Sequence, residues 1–78
     1  MKDLVETIVK AIVDKPEAVN VTQTSASDIT DVISVKVDQN DLGKVIGKQG
    51  KTAQSIRSIV YVCSFKTGRR YNVDITAN

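Results

Sequence analysis

The stretch from Leu42 to Ile56 constrains this chain most, because Val45-Ile46-Gly47-Lys48-Gln49-Gly50 joins two helical patterns through a turn with two glycines. A tight turn between helices needs backbone conformations that a Cβ resists, and Gly47 and Gly50 supply them. Bare backbone at 47 and 50 also lets another chain approach closely. The first amides of the helix starting near Lys51 have no partner inside it, and they sit at the positive end of its dipole. Together with Lys48 and Lys51 they form an expected site for a phosphate chain.

Charge supports that expectation through its distribution rather than its net value of +2. From Leu42 to Val73 there are seven basic residues (Lys44, Lys48, Lys51, Arg57, Lys66, Arg69 and Arg70) and no acidic one, whereas the other 46 positions hold four basic and nine acidic residues. A charge run by itself often marks a solvated face, which is the plain alternative for Lys66, Arg69 and Arg70. Complete exclusion of carboxylates around a glycine turn is the pattern of a polyanion-binding face.

Seventy-eight residues make a single domain over 1–78 with a modest core, so a ligand site is expected in a surface groove rather than a deep pocket. The single cysteine, Cys63, lies within an apolar helical pattern and reads as core. With no histidine, no second thiol and no evident carboxylate pair, the chain lacks means for proton-transfer or zinc chemistry. No enzyme activity, metal, cofactor or small-molecule substrate is therefore expected. No signal peptide or membrane span is legible, which makes the cytoplasm the expected location.

In chain order, Leu4, Val5, Ile8, Val9, Ile12 and Val13 form one apolar stripe at helical spacing, with Glu6, Lys10 and Asp14 outward. Asp3 followed by Glu6 resembles a capping box, and Pro16 marks the helix end. Ala18 to Thr24 and Ile29 to Asp38 alternate with period two about the polar break Ser25-Ala26-Ser27-Asp28, which predicts an antiparallel hairpin. Gln39-Asn40-Asp41 then predicts the N-cap of a short helix carrying Leu42, Val45 and Ile46, with Gly43 marking a close backbone contact. Ala53, Ile56, Ile59, Val60 and Cys63 predict a long helix that Phe65 closes and Gly68 terminates. Arg70 to Thr76 alternates again as a third strand. The result is an α+β domain of order αββααβ, with three helices on one face of a three-stranded sheet.

The run Val45-Ile46-Gly47-Lys48-Gln49-Gly50, with Ile56 six residues on, resembles the V-I-G-x-x-G signature of KH domains, which bind single-stranded nucleic acid. The element order is similar to the type II KH arrangement, whose sheet is mixed, and the resemblance covers nearly the whole chain. One departure is Ala53, where many KH domains carry isoleucine; it slims a packing position without touching the loop. The resemblance implies that the G-x-x-G loop clamps the backbone of about four nucleotides above an apolar floor. On this chain Gly47 and Gly50 would admit the phosphates, Lys48, Lys44 and Lys51 would supply counter-charge, and Gln49 would donate to phosphate or sugar. Val45 and Ile46 would line one side of the groove and the strand bearing Val35 and Val37 the other, with plain core packing an equal alternative for these residues.

Only Tyr61, Phe65 and Tyr71 are aromatic, two of them on apolar faces, so a sheet platform that stacks bases is unsupported. Binding through one groove without stacking should be weak and salt-sensitive, which calls for avidity from a homodimer or a second RNA-binding partner. The long helix around Ile59 to Phe65, with its apolar run Ile59-Val60-Tyr61-Val62-Cys63, is the expected dimer contact. The small stand-alone bacterial KH proteins that this chain resembles imply the same: single-stranded RNA binding, dimerisation, a larger KH-containing partner, RNA chaperoning, and post-transcriptional control of cell shape and cell wall. The alternative is a protein-interaction module that keeps the KH shape but has little RNA affinity. A P-loop is excluded, because Gly50-Lys51-Thr52 lacks the required glycine at position 45 and the preceding strand.

Overall fold

The computed structural model describes all residues, 1–78. Helix α1 (Lys2–Ile12) leads through a 3₁₀ turn at Pro16–Ala18 into strands β1 (Asn20–Ser25) and β2 (Thr30–Val37). A short helix α2 (Leu42–Ile46), a second 3₁₀ turn at Lys48–Gly50, the long helix α3 (Lys51–Thr67) and strand β3 (Arg70–Ala77) complete the chain. The sheet order is β1-β2-β3, with β1 antiparallel and β3 parallel to the central β2. This is the expected αββααβ order with a mixed sheet.

Alternation in the strands decides which face the helices cover. Ile33, Val35 and Val37 of β2 pair with Gln23 and Val21 of β1 and with Val73, Ile75 and Ala77 of β3, and this is the buried face. Against it pack Val5, Val9 and Val13 from the first helix region, Val45 from α2, and Ile56 and Val60 from α3. The core is small, 12 of 78 residues, and mostly valine, whose single rotatable side-chain bond suits a thin layer between helix and sheet. The opposite face of the sheet is open and polar; Val32 is its one apolar member among residues such as Thr22, Ser34, Lys36, Asn72 and Asp74. It carries no aromatic residue.

Three local expectations are corrected. Asp3 does not cap α1: Met1 stands at the N-cap without a side-chain bond, and the Lys2 amide donates to Gln23 Oε1 at 3.1 Å. Pro16 does not mark the end of α1, which stops at Ile12 once Val13 turns to extended backbone. Gly43 makes no close contact, since a Cβ built there would meet nothing within 4 Å. Asp41 does occupy the α2 N-cap position, but its carboxylate turns away from that helix. It accepts the Asp14 and Lys15 amides at 3.2 and 3.0 Å, so the residue expected to start α2 instead ties the end of the first helix to it.

Candidate nucleic-acid interface

Gly47, Lys48, Gln49, Gly50 and Lys51 lie at the junction of α2 and α3, with Lys44, Val45 and Ile46 on the preceding turn, whereas the strand bearing Val35 and Val37 is the central strand of the sheet. The chain leaves α2 when the Gly47 amide donates to the Gly43 carbonyl at 2.8 Å, closing that helix. Gly47 then takes φ 78°, ψ 172°, a region open to glycine alone, and Gly50 takes φ 75°, ψ 12°. Between them Gln49 lies at φ 58°, ψ 27°, the left-handed region, although it carries a side chain. Sequence reasoning gave that work to the two glycines and missed the third left-handed position. Such a conformation costs about 1–2 kcal/mol in a residue with a Cβ.

Gly47 answers to a second demand. Thr52 folds over it, so a Cβ at 47 would lie 2.7 Å from Thr52 Cβ and 2.8 Å from the Thr52 nitrogen, and would also collide with Thr52 Oγ1. Around Gly50 there is open space. One glycine is thus required by packing and conformation together, the other by conformation alone.

Electrostatics at the junction are one-sided. Gly50 is the N-cap of α3, no side chain caps that helix, and its first turn holds no acidic residue. The protein supplies no internal anion to the positive end of this 17-residue helix. Lys48, Gln49 and Lys51 are exposed, and neither lysine forms an ion pair. Lys44, one turn back on α2, is exposed but paired with Asp14, whose carboxylate holds the ammonium above the usual lysine range.

The four apolar residues assigned to groove or core divide. Val35, Val37 and Val45 have no exposed surface and are core; Ile46 is half-buried beside the loop. The buried three offer a ligand no surface, so the expected groove role fails for them, and only Ile46, next to Gly47, presents any. Two arginines counted with the basic half are committed elsewhere. Arg57 donates from Nε and Nη2 to the Val73 carbonyl, both at 3.3 Å, satisfying an acceptor on β3. Arg69 donates to Asp31 Oδ1 at 2.7 Å and to the Asp28 carbonyl at 2.9 Å. These pairings span 16 to 41 residues, and no local pattern announces them.

The geometry is matched by comparison with known proteins. Residues 2–75 match the model of the KhpA/KhpB KH domain. RNA-binding protein KhpA of Clostridium perfringens is 43% identical over 75 residues, covering 96% of this chain and 99% of that protein. The protein of the same name from Caldanaerobacter subterraneus is 45% identical with the same coverage, and that of Aquifex aeolicus 41% identical, covering 96% and 94%. Among solved structures, Era in complex with MgGDPNP and nucleotides 1506–1542 of 16S ribosomal RNA superposes with a TM-score of 0.65 at 18% identity. That match covers 97% of this chain and 29% of Era, and it shows a shared fold. With its signature loop, mixed sheet and near full-length match, the chain belongs to the KhpA/KhpB family of KH domains.

Proposed function

We propose that this chain binds single-stranded RNA by seating the phosphate backbone on the Gly47-Lys48-Gln49-Gly50 loop and the uncapped start of α3. The observation that carries the reading is the uncompensated helix terminus: no side-chain cap, no first-turn acid, and two exposed, unpaired lysines on either side of bare glycine backbone. Lys48 and Lys51 supply the charge, Gln49 donates to phosphate or sugar, and Ile46 meets the first bases. Lys44 joins once its bond to Asp14 opens. The relatives named RNA-binding protein KhpA support RNA as the class of ligand.

A single loop contact, with no aromatic beside it, needs a second one for useful avidity. The chain acts as a homodimer or beside a larger KH protein of the KhpB kind, in the cytoplasm, in RNA chaperoning and post-transcriptional control linked to cell shape and cell wall. Ile59 and Val62, 43% and 62% exposed on the outer side of α3, are the apolar surface that a second copy would cover. Val62→Glu should lower the sedimentation coefficient to that of a monomer; an unchanged value removes α3 from the dimer contact.

The test of RNA binding is fluorescence anisotropy with a short labelled single-stranded RNA, comparing the parent with the double variant Lys48→Asp, Gln49→Asp after circular dichroism shows that both fold. The variant should bind at least tenfold more weakly. Equal binding places the contact elsewhere, and absence of binding by the parent would leave the interaction-module reading, for which the exposed α3 face already speaks.

A further inference from the structure

The chain has three aromatic residues, and all three line one cleft. Tyr61 and Phe65 project from the last turns of α3, Tyr71 from the start of β3, and the cleft between them has a volume of about 520 Å³. The Tyr61 and Phe65 rings meet edge to face, with centroids 5.1 Å apart and planes at 71°. They are 65% and 71% exposed. Tyr71 is half-buried and its hydroxyl donates to Thr67 Oγ1 at 3.1 Å, which holds the ring in place. Exposing two of three aromatics in a chain this poor in them leaves apolar area unused by the fold.

The surroundings favour a nucleobase as occupant. Arg70 and Asn72 line the cleft with the rings, and Arg70 is exposed and unpaired, whereas Arg69 is held by Asp31. No acidic residue lies between Leu42 and Val73. A second concavity, which includes Arg57 and one acid, Asp74, shares Tyr61, Tyr71 and Asn72 with the first, so the two form one trough between α3 and β3. Arg57, Tyr61 and Phe65 recur every fourth residue along α3 and mark one wall of it. Tyr61 stands ten residues beyond Lys51, about 15 Å along the helix axis from the loop end of α3. Val62, on the surface assigned to a second copy, is turned about 100° from Tyr61 around the axis.

We infer that this trough is a second RNA subsite, in which an unpaired base beyond the nucleotides held by the glycine loop stacks on Tyr61 or Phe65 while Arg70 meets its phosphate. Ring stacking is tolerant of base identity, so the subsite adds affinity and length dependence rather than sequence preference. It rests on the reading of the loop as an RNA clamp.

Anisotropy with a labelled tetranucleotide and a labelled octanucleotide separates the two ideas. Tyr61→Ala should bind the tetramer as the parent does and the octamer about tenfold more weakly. Tyr61→Phe should keep the octamer affinity, and Tyr61→Leu, which retains apolar area without a ring, should lose it. The same weakening for both lengths, or none for either, overturns the subsite. If Tyr61→Ala instead lowers the sedimentation coefficient and affects both lengths alike, the face is a contact between copies and the subsite is overturned. The loop double variant should lose both lengths; if it binds the tetramer like the parent, the loop reading fails while the ratio for Tyr61→Ala still judges the trough. A parent that binds neither length overturns both.

Discussion

At position 47 a methyl group meets two separate obstacles, and they predict a measurable asymmetry between the loop glycines. Gly47→Ala must hold φ near 78° with ψ near 172° and push aside the Thr52 backbone nitrogen at 2.8 Å. Gly50→Ala has open space and bears only the left-handed conformation, about 1–2 kcal/mol. Gly47→Ala should therefore cost at least about 3 kcal/mol, a large share of the roughly 4–12 kcal/mol expected for a domain of this size. Urea denaturation of the two variants measures the difference. Adding Thr52→Ala to Gly47→Ala should recover little, since the clash with backbone remains when Oγ1 is gone. Equal costs for the two glycines would show that Thr52 yields freely and that packing over the loop is loose.

Among the elements, the pairing of Asp31 with Arg69 joins the start of β2 to the turn between α3 and β3. The Asp31 carboxylate accepts from Arg69 and, at 2.9 Å, from Gln23 Nε2, and these bonds hold it below the usual aspartate range, the one to Arg69 most strongly. A carboxylate whose value is depressed in the fold stabilises above its unfolded value of about 3.9, and the contribution is lost as pH falls through the folded value. Asp31→Asn should therefore lower the urea midpoint at pH 7, and the gap to the parent should close as pH falls below about 4. A gap independent of pH would mean that the carboxylate charge contributes nothing. The same pairing shows what was legible in the sequence. The hairpin, the glycine loop and the Gly68 stop of α3 were, because each is written in residues a few positions apart, and Gly68 does sit at φ 72° with its amide bonded to Ser64. Arg69 to Asp28, Asp41 to Asp14 and Lys44 to Asp14 were not, because they join residues 27 to 41 apart that only the finished fold brings together. Exposure of Tyr61 and Phe65 escaped for a related reason: helical spacing marks an apolar face but does not say whether anything covers it.

For the whole molecule, the charge asymmetry of the sequence meets a limit set by folding, because the acidic half lends Asp14 to the basic half. Lys44 is one of three lysines proposed for the phosphate chain, yet its ammonium is bonded to Asp14, so a phosphate seated there would compete with a carboxylate for it. For a tetranucleotide confined to the loop, two free lysines predict a log-log salt slope of about −1.4, and a third brings it to about −2.1. Asp14→Asn removes the competing charge and should tighten RNA binding several-fold at low salt, steepening the slope by up to about 0.7. The urea midpoint should hardly move, because the Asp14 side chain is 73% exposed and the pair lies in solvent. Titrations of parent and variant at four salt concentrations decide the matter. A parallel pair of lines offset by a constant would mean that Asp14 acts through the general field and that Lys44 takes no part in the contact, whereas an unchanged line would show that the ion pair persists in the complex and that Lys48 and Lys51 carry the phosphate charge alone.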